Sequence, residues 1–332
     1  MKTTVILCTY NRCQILGTAL SSVAAQKLPE ALEWEVLVVD NNSSDQTREV
    51  VESFCMRYPG RFRYLFEPVP GKSYALNSGV RAARGEILAF MDDDATVEPM
   101  WLQNLTGALH DGAWAGAGGR TLLAGSFSPP PWLALDGPYP MGGALAGLFD
   151  LGDKPRELHV APNGNNMAFQ KKMFDAYGLF RTDLGPSPHK DIPHSNEDTE
   201  FGRRLMAAGE KLRYEPSAVV YHPALKDRIH KDYFLVWWFD HGRALIREKG
   251  RRPPVWGIPR HYLSIPKMIG IHLSVRVARW MWTLNPRRRF SWKCGAWVMA
   301  GEIVETYRLA RDVARQNDNV MREGNLECSG RT

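Results

Sequence analysis

Three aspartates in a row, Asp92-Asp93-Asp94, follow directly on the apolar run Ile87-Leu88-Ala89-Phe90-Met91. Carboxylates crowded at a strand end repel one another unless a cation or hydrogen-bond donors offset the charge. Oxygen-rich clusters of this kind suit Mg2+ or Mn2+, cations that also bind diphosphates. The competing reading is a polar loop with capping aspartates, and a second polar strand end at Asp40, after Val36-Leu37-Val38-Val39, weighs against it. Asn196-Glu197-Asp198 opens a helix with Phe201, Leu205 and Met206 on its apolar side. Those carboxylates either cap the helix or supply a general base for a substrate hydroxyl. His222 closes the run Val219-Val220-Tyr221. A lone histidine is commonly structural, yet imidazole can complete a carboxylate-rich divalent site, especially for Mn2+. Gly71-Lys72-Ser73 is not a P-loop, because Phe66 stands where the motif needs its first glycine. Lys72 remains a helix-start cation able to meet a phosphate. His189 and His194 lack metal-ligand spacing and read as structural or acceptor-loop residues.

These groups need a scaffold, and the front of the chain supplies one. Thr3 to Leu7 is a β-branched run ending at Thr9-Tyr10-Asn11-Arg12, and Ile15, Leu16, Leu20 and Val23 then recur at helical spacing. Val36 to Val39 reads as a strand ending at Asp40, Thr47 to Phe54 as a helix, Phe62 to Phe66 as a strand, Ser73 to Ala83 as a helix, and Ile87 to Met91 as a strand. This βαβα rhythm predicts a mainly parallel sheet covered by helices on both faces. Ligands in such sheets bind at the carboxyl ends of strands, so Thr9 to Arg12, Asp40 and Asp92 to Asp94 are expected to converge on one crevice. From Gly118 to Gly164 the pattern breaks into a Gly/Pro-rich stretch containing Trp132, read as a functional loop rather than a plain linker. Asn165 to Phe169, Lys211 to Tyr214 and Ala218 to Tyr221 are strand candidates, and Thr199 to Ala208 is an amphipathic helix.

Composition places the chain among globular proteins: 332 residues, 44% hydrophobic and 23% charged. Five scattered cysteines without a CxxC pair exclude a disulfide scaffold and a zinc ribbon and favour a reducing compartment. No secretory signal and no uncharged apolar run of spanning length is apparent, so a cytoplasmic location is expected. The net charge of +6 is unevenly spread: residues 1–225 balance at −5, whereas residues 226–332, with 21 basic and 10 acidic side chains, balance at +11. That back region also holds seven of the 11 tryptophans and turns helical after about Lys231, interrupted by Pro253-Pro254, Pro259, Pro266 and Pro286. Tryptophan mixed with arginine suits a helix lying in an anionic membrane interface, and a helical cap on the preceding domain is the alternative. It carries no zinc-finger, helix-turn-helix or RNA-recognition signature, so no nucleic-acid partner is expected.

Taken in order, these segments resemble the family-2 glycosyltransferases, inverting enzymes with the GT-A fold. Val5 to Arg12 is similar to the family's opening strand and nucleotide-binding turn. EVLVVDNNSSDQT (35–47) is similar to its second strand, whose terminal aspartate, here Asp40, contacts the nucleotide base. GKSYALNSG (71–79), with Lys72 and Asn77, resembles the helix start near the nucleotide. Asp92-Asp93-Asp94 corresponds to the DxD motif, with Asp94 as metal ligand. Gly164-Asn165-Asn166-Met167-Ala168-Phe169 resembles the strand flooring the donor-sugar pocket. Asn196-Glu197-Asp198 falls where the family has its ED motif, with Asp198 as catalytic base, and Tyr221-His222-Pro223 resembles the segment giving a histidine to the metal.

The resemblance spans about residues 3–230 and implies a GT-A catalytic domain, 1–230, with a nucleotide-sugar half (1–117) and an acceptor half (118–230). A basic, Trp-rich helical extension, 231–332, would follow. It implies a nucleotide-sugar donor, a UDP-sugar first, whose base meets Thr9 and Asp40, with Tyr10, Asn11 and Arg12 also binding the nucleotide-sugar. The diphosphate would rest on Mg2+ or Mn2+ held by Asp94 and His222, with Asp92, Asp93 and Lys72 nearby. Asp198 would deprotonate an acceptor hydroxyl, Glu197 and Asn165 would position hydroxyls, and Trp132 would help close over the acceptor. That acceptor is expected to be a lipid-linked saccharide or glycan precursor in polysaccharide biosynthesis, met by a peripheral enzyme on the inner face of the cell membrane. A nucleotidyltransferase with the same metal-carboxylate site, and a non-catalytic basic membrane- or nucleic-acid-binding module, are the rival classes.

Overall fold

The computed structural model describes residues 2–30, 32–250 and 261–329, apart from the side chains of 261–263 and 312–329. Arg251, Arg252, Pro253, Pro254, Trp256 and Pro259 lie outside the described residues. The chain divides into two compact units, residues 1–128 with 142–230, and residues 129–141 with 231–332. The Gly/Pro-rich stretch is therefore split, and its 129–141 portion clusters with the helices rather than with the sheet.

The first unit opens with β1 (Thr3–Thr9), α1 (Cys13–Ala24), β2 (Trp34–Asp40), α2 (Thr47–Arg57), β3 (Phe62–Phe66), α3 (Lys72–Ala82) and β4 (Ile87–Asp92). Next come β5 (Thr96–Val97), α4 (Trp101–Gly107), β6 (Gly116–Leu123), α5 (Gly142–Ala146), β7 (Arg156–Glu157), β8 (Met167–Gln170), α6 (Lys172–Tyr177), α7 (Glu197–Ala207) and β9 (Leu212–His222). The sheet runs in the order β3-β2-β1-β4-β8-β6-β9-β5, with β7 on β9. β3, β2, β1 and β4 are parallel neighbours, β8 is antiparallel to both β4 and β6, and β6 runs parallel to β9. Six strands thus point the same way, and Thr9, Asp40, Asp92 and His222 all end strands on one edge.

Strand alternation sorts the core into two layers. Val5, Leu7, Val36, Val38, Ile87 and Ala89 face one cluster with Leu16, Leu20 and Val23 of α1 and Trp101, Leu102 and Leu105 of α4. Ile6, Leu37, Val39, Leu88 and Phe90 face the other, with Leu76 and Val80 of α3 and Phe174, Phe201 and Leu205 of α6 and α7. Both faces being covered explains why these strands read as continuous apolar runs. The two strand candidates at 211–214 and 218–221 form a single strand, β9, with a register shift where Gly119/Arg120 of β6 meets it.

The second unit contains α8 (Lys231–Lys249), α9 (His261–Lys267), a π-helical turn (Met268–Leu273), α10 (Ser274–Trp282) and α11 (Pro286–Ser329). Glu305, fully buried, accepts from Arg243 Nε at 3.0 Å and lies 2.5 Å from Arg247 Nη2, tying α11 to α8. Asp240 pairs with Arg243 at 2.8 Å, so the buried charges balance locally. Gly242 and Gly301 sit where a Cβ would meet the facing backbone, which lets α8 and α11 approach closely. Trp132 belongs here, edge-on to Phe234 at 5.7 Å and Phe290 at 5.1 Å. No helix among the described residues is long and apolar enough to cross a membrane.

Candidate active site

The strand edge opens into a cavity of about 480 Å3, lined by Thr9, Tyr10, Arg12, Lys72, the three aspartates and His222 among others. The turn at its rim is built by local chemistry. Asn11 and Asn42 take left-handed backbone angles, φ 50° and 66°, which asparagine tolerates better than most residues. Asn11 Oδ1 accepts from Ser44 N at 2.7 Å, and Asn11 N donates to Ser43 Oγ at 2.9 Å, pinning the two loops together. Asp45 accepts from Cys13 N and from both donors of Thr47, fixing the starts of α1 and α2 with one carboxylate.

At the centre, Asp94 is held from two sides. Arg12 Nη1 lies 2.6 Å from its Oδ2 and 3.0 Å from Asp93 Oδ1, and His222 Nε2 lies 3.0 Å from its Oδ1. Burial pushes the Asp94 carboxyl up, but His222 and Arg12 outweigh that and hold it well below the usual carboxylate range. Asp93 is more deeply desolvated and less compensated by Arg12, and is pushed up to about 6. Burial pulls the His222 imidazole down, and the Asp94 hydrogen bond more than reverses it. Asp92 faces both ways, its Oδ1 accepting from Lys72 Nζ at 2.9 Å and its Oδ2 lying 3.9 Å from His222 Nε2, and Lys72 is 3.5 Å from Glu197 Oε1. Desolvation lowers the Lys72 ammonium and Asp92 and Glu197 raise it, with a net upward shift. Burial, and then Asp198 beside it, push the Glu197 carboxyl up, with Lys72 opposing.

The acid pair at the start of α7 sits between two glycines. A Cβ on Gly164 would lie 2.5 Å from Asp198 Oδ2, and one on Gly185, at φ 91°, would lie 2.8 Å from Glu197 Cβ. Asp198 accepts from Gly164 N at 2.5 Å and from Thr199 N at 2.6 Å, so its orientation is set by backbone donors. Asn196 precedes it at φ 72°.

Several residues singled out from sequence sit elsewhere. Asp40 is 2% exposed, taking Tyr64 Oη at 2.8 Å and Ser43 N at 2.9 Å; its neighbour Asn41, not Asp40, lines the cavity. Asn77 exchanges two bonds of 2.9 Å with the backbone of Phe180, and Asn165 accepts from Thr121 Oγ1, so both amides serve the scaffold. Sequence reasoning passed over Arg228, on a single 3-10 turn (Lys226–Arg228), which lines the cavity 3.8 Å from Asp94 Oδ2. The Pro186-Ser187-Pro188 wall of the cavity has no sequence signal either, and His194, which reads as a structural or acceptor-loop residue, lines it too.

Asp92, Asp94 and His222 each present one ligand atom, all within 4.8 Å of one another, a group able to hold a metal ion. Residues 4–161 match the family described as Glycosyl transferase family 2. The chain carries a family-2 glycosyltransferase domain and is a glycosyltransferase. It is similar to "Glycosyltransferase AglE" of Haloferax volcanii, 28% identical over 71% of this chain and 74% of that one. It is also similar to "Succinoglycan biosynthesis protein ExoM" of Rhizobium meliloti, 26% identical over 76% and 78%. Among solved structures, mannosyltransferase PcManGT from Pyrobaculum calidifontis, in complex with GDP-Man and Mn2+, superposes with a TM-score of 0.58. That match is 19% identical and covers 92% of this chain and 87% of that one, which shows the shared GT-A fold. The glycosyltransferase thus has the α/β architecture, with a mostly parallel sheet and a helical C-terminal region, that its sequence predicts.

Proposed function

We propose that the glycosyltransferase moves a sugar from a nucleotide-sugar to an acceptor hydroxyl by single displacement, inverting the anomeric centre. The observation that carries this is the convergence, at one strand edge, of a carboxylate–imidazole group and three cationic side chains, with the acid pair of α7 joined to them through the Glu197–Lys72 contact. Two carboxylates and an imidazole suit Mn2+ or Mg2+, so Asp92, Asp94 and His222 are the residues that would hold it. A divalent cation bound there supplies positive charge to the leaving diphosphate. PcManGT, bound to GDP-Man and Mn2+, has the same fold, which supports this reading.

The chain's own residues do the remainder. Tyr10, 57% exposed at the rim, offers a face on which a nucleotide base can stack. Arg12, Lys72 and Arg228 line the cavity as cations for the phosphates. Asp198 accepts the proton of the attacking hydroxyl, its carboxylate aimed by Gly164 N. Glu197 positions Lys72 through their contact. The donor is a UDP-sugar in this reading, following the family resemblance. The acceptor is a growing glycan or lipid-linked saccharide, a class supported by the relative that bears the name of succinoglycan biosynthesis.

The test pairs purified protein with a panel of UDP-, GDP- and dTDP-sugars and glycan acceptors. Expected are turnover abolished by EDTA and restored by Mn2+, loss of most activity in Asp94→Asn, and a product of inverted anomeric configuration by NMR. Release of pyrophosphate would move the enzyme to the nucleotidyltransferases, and a retained anomer would end the single-displacement mechanism.

A further inference from the structure

We propose that the face formed by Met268–Leu273, α10 and the start of α11 docks on an anionic phospholipid bilayer, lying among the headgroups without crossing them. The first observation is apolar exposure. No residue of the π-helical turn or of α10 is buried, while Trp282 is 77% and Leu284 95% exposed, with Ile269, Ile271, Val275 and Met281 also open. The exposure is one-sided. Arg276 donates to Tyr139 Oη at 2.8 Å and Trp280 meets Trp297 edge-on at 6.2 Å, marking the inward side. Val275, Ala278 and Trp282, at i, i+3 and i+7, share the opposite face. Large apolar side chains exposed together on one helical segment mark an interaction site.

The second observation is charge. Residues 249–301 contain eleven Lys and Arg and not one Asp or Glu. Lys267, Arg279, Arg287, Arg288 and Arg289 are exposed in the same region. This combination selects the occupant. A second copy paired through the same face would set cation against cation. Nucleic acid offers phosphate but no hydrocarbon for Leu284, Met281 or Val275. A bilayer with anionic headgroups offers both, with tryptophan at headgroup depth and arginine at phosphate. In a cell the anionic leaflet is the cytoplasmic one.

The surface claim does not use the sugar-transfer reading, and its test involves no turnover, so either can fail alone. The full chain is floated with vesicles of phosphatidylcholine mixed with phosphatidylglycerol, and with phosphatidylcholine alone, at low and high salt. Expected is binding to the mixed vesicles that falls in high salt. Arg287→Gln/Arg288→Gln/Arg289→Gln should weaken partition about 100-fold, from roughly 1 kcal/mol per basic side chain near the surface. Trp282→Ser/Leu284→Ser should weaken it about tenfold or more, since both side chains lose apolar burial. Circular dichroism unchanged from the parent confirms that each variant is folded. An intact protein that ignores the mixed vesicles at low salt overturns the proposal. So do variants that float like the parent, or a dimer in gel filtration that Trp282→Ser/Leu284→Ser dissolves.

Discussion

The two units handle charge in opposite ways. Along the strand edge every central carboxylate is answered within a few ångströms: Asp94 by His222 and Arg12, Asp93 by Arg12, and Asp92 by Lys72. Among the described residues the helical unit gathers its buried charge around Glu305 and leaves Lys267, Arg279, Arg287, Arg288 and Arg289 exposed. Charges at the strand edge are poised for exchange with a ligand, because each pair is also a lining group of the cavity. Glu305, Arg243 and Asp240 are buried from solvent, and their cluster serves cohesion. Substitutions among the strand-edge pairs should therefore lower kcat with little loss of Tm, and those in the Glu305 cluster should do the reverse.

The largest effect is expected at the acid pair. Asp198→Asn should reduce kcat by ~10²–10⁴-fold while nucleotide binding, measured by calorimetry, stays near that of the parent. Loss of nucleotide binding with kcat preserved would reassign Asp198 to the donor site. Gly164→Ala is a subtler form of the same break. Its Cβ would meet the Asp198 carboxylate at 2.5 Å, so the base must shift, and a shift near 1 Å can reduce the rate ~10²-fold. A normal rate in that variant would show that the orientation of Asp198 is not limiting.

Glu305→Gln tests the other side. Removing the charge shared by Arg243 and Arg247 leaves two cations without that buried carboxylate, a change typically worth ~3–5 kcal/mol. The expected outcome is a clear fall in denaturant midpoint with kcat per folded molecule unchanged. A fall in kcat at full stability would erase the contrast between the units.

The smallest effect tests whether charge in the first unit also serves the fold. Burial alone would raise the Asp45 carboxyl, but Thr47 and Cys13 donors outweigh it and hold it at about 2. A folded value below the unfolded one means this stabilisation is complete above about pH 4 and lost as pH falls toward the folded value. The Tm gap between the parent and Asp45→Asn should be open at neutral pH and close between those limits. A gap independent of pH would show that the hydrogen bonds matter and the charge does not.

Much of this was legible in the residues. The apolar runs at 3–7, 36–39 and 87–91, which lie within β1, β2 and β4, announced themselves because both sheet faces are covered, and polar residues at their ends marked the functional edge. The strand β6 was not legible, since Gly116, Gly118 and Gly119 look like a loop. In the fold a Cβ at Gly119 would lie 2.2 Å from the Ala218 carbonyl, so glycine marks close packing there rather than a turn. Which polar residue at a strand end faces the cavity was equally hidden. Asp40 and Asn41 are adjacent, and the Tyr64 hydroxyl, from a strand 24 residues away, together with Ser43 N holds Asp40 inward. Arg228 reaches the site by three-dimensional proximity alone.

The ties between α3 and the segment after Phe180 have a mechanical consequence. Asn77 exchanges two bonds with Phe180, Ser73 Oγ donates to Leu184 O, and Lys72 N donates to Pro186 O. The cavity wall at 186–188 is thereby sewn to the same helix that carries Lys72. Wall and cation must travel as one piece, so a ligand cannot prise them apart without unzipping the whole seam. The amide hydrogens of Lys72 and Phe180, each bonded across that seam, should exchange with deuterium at one shared opening rate.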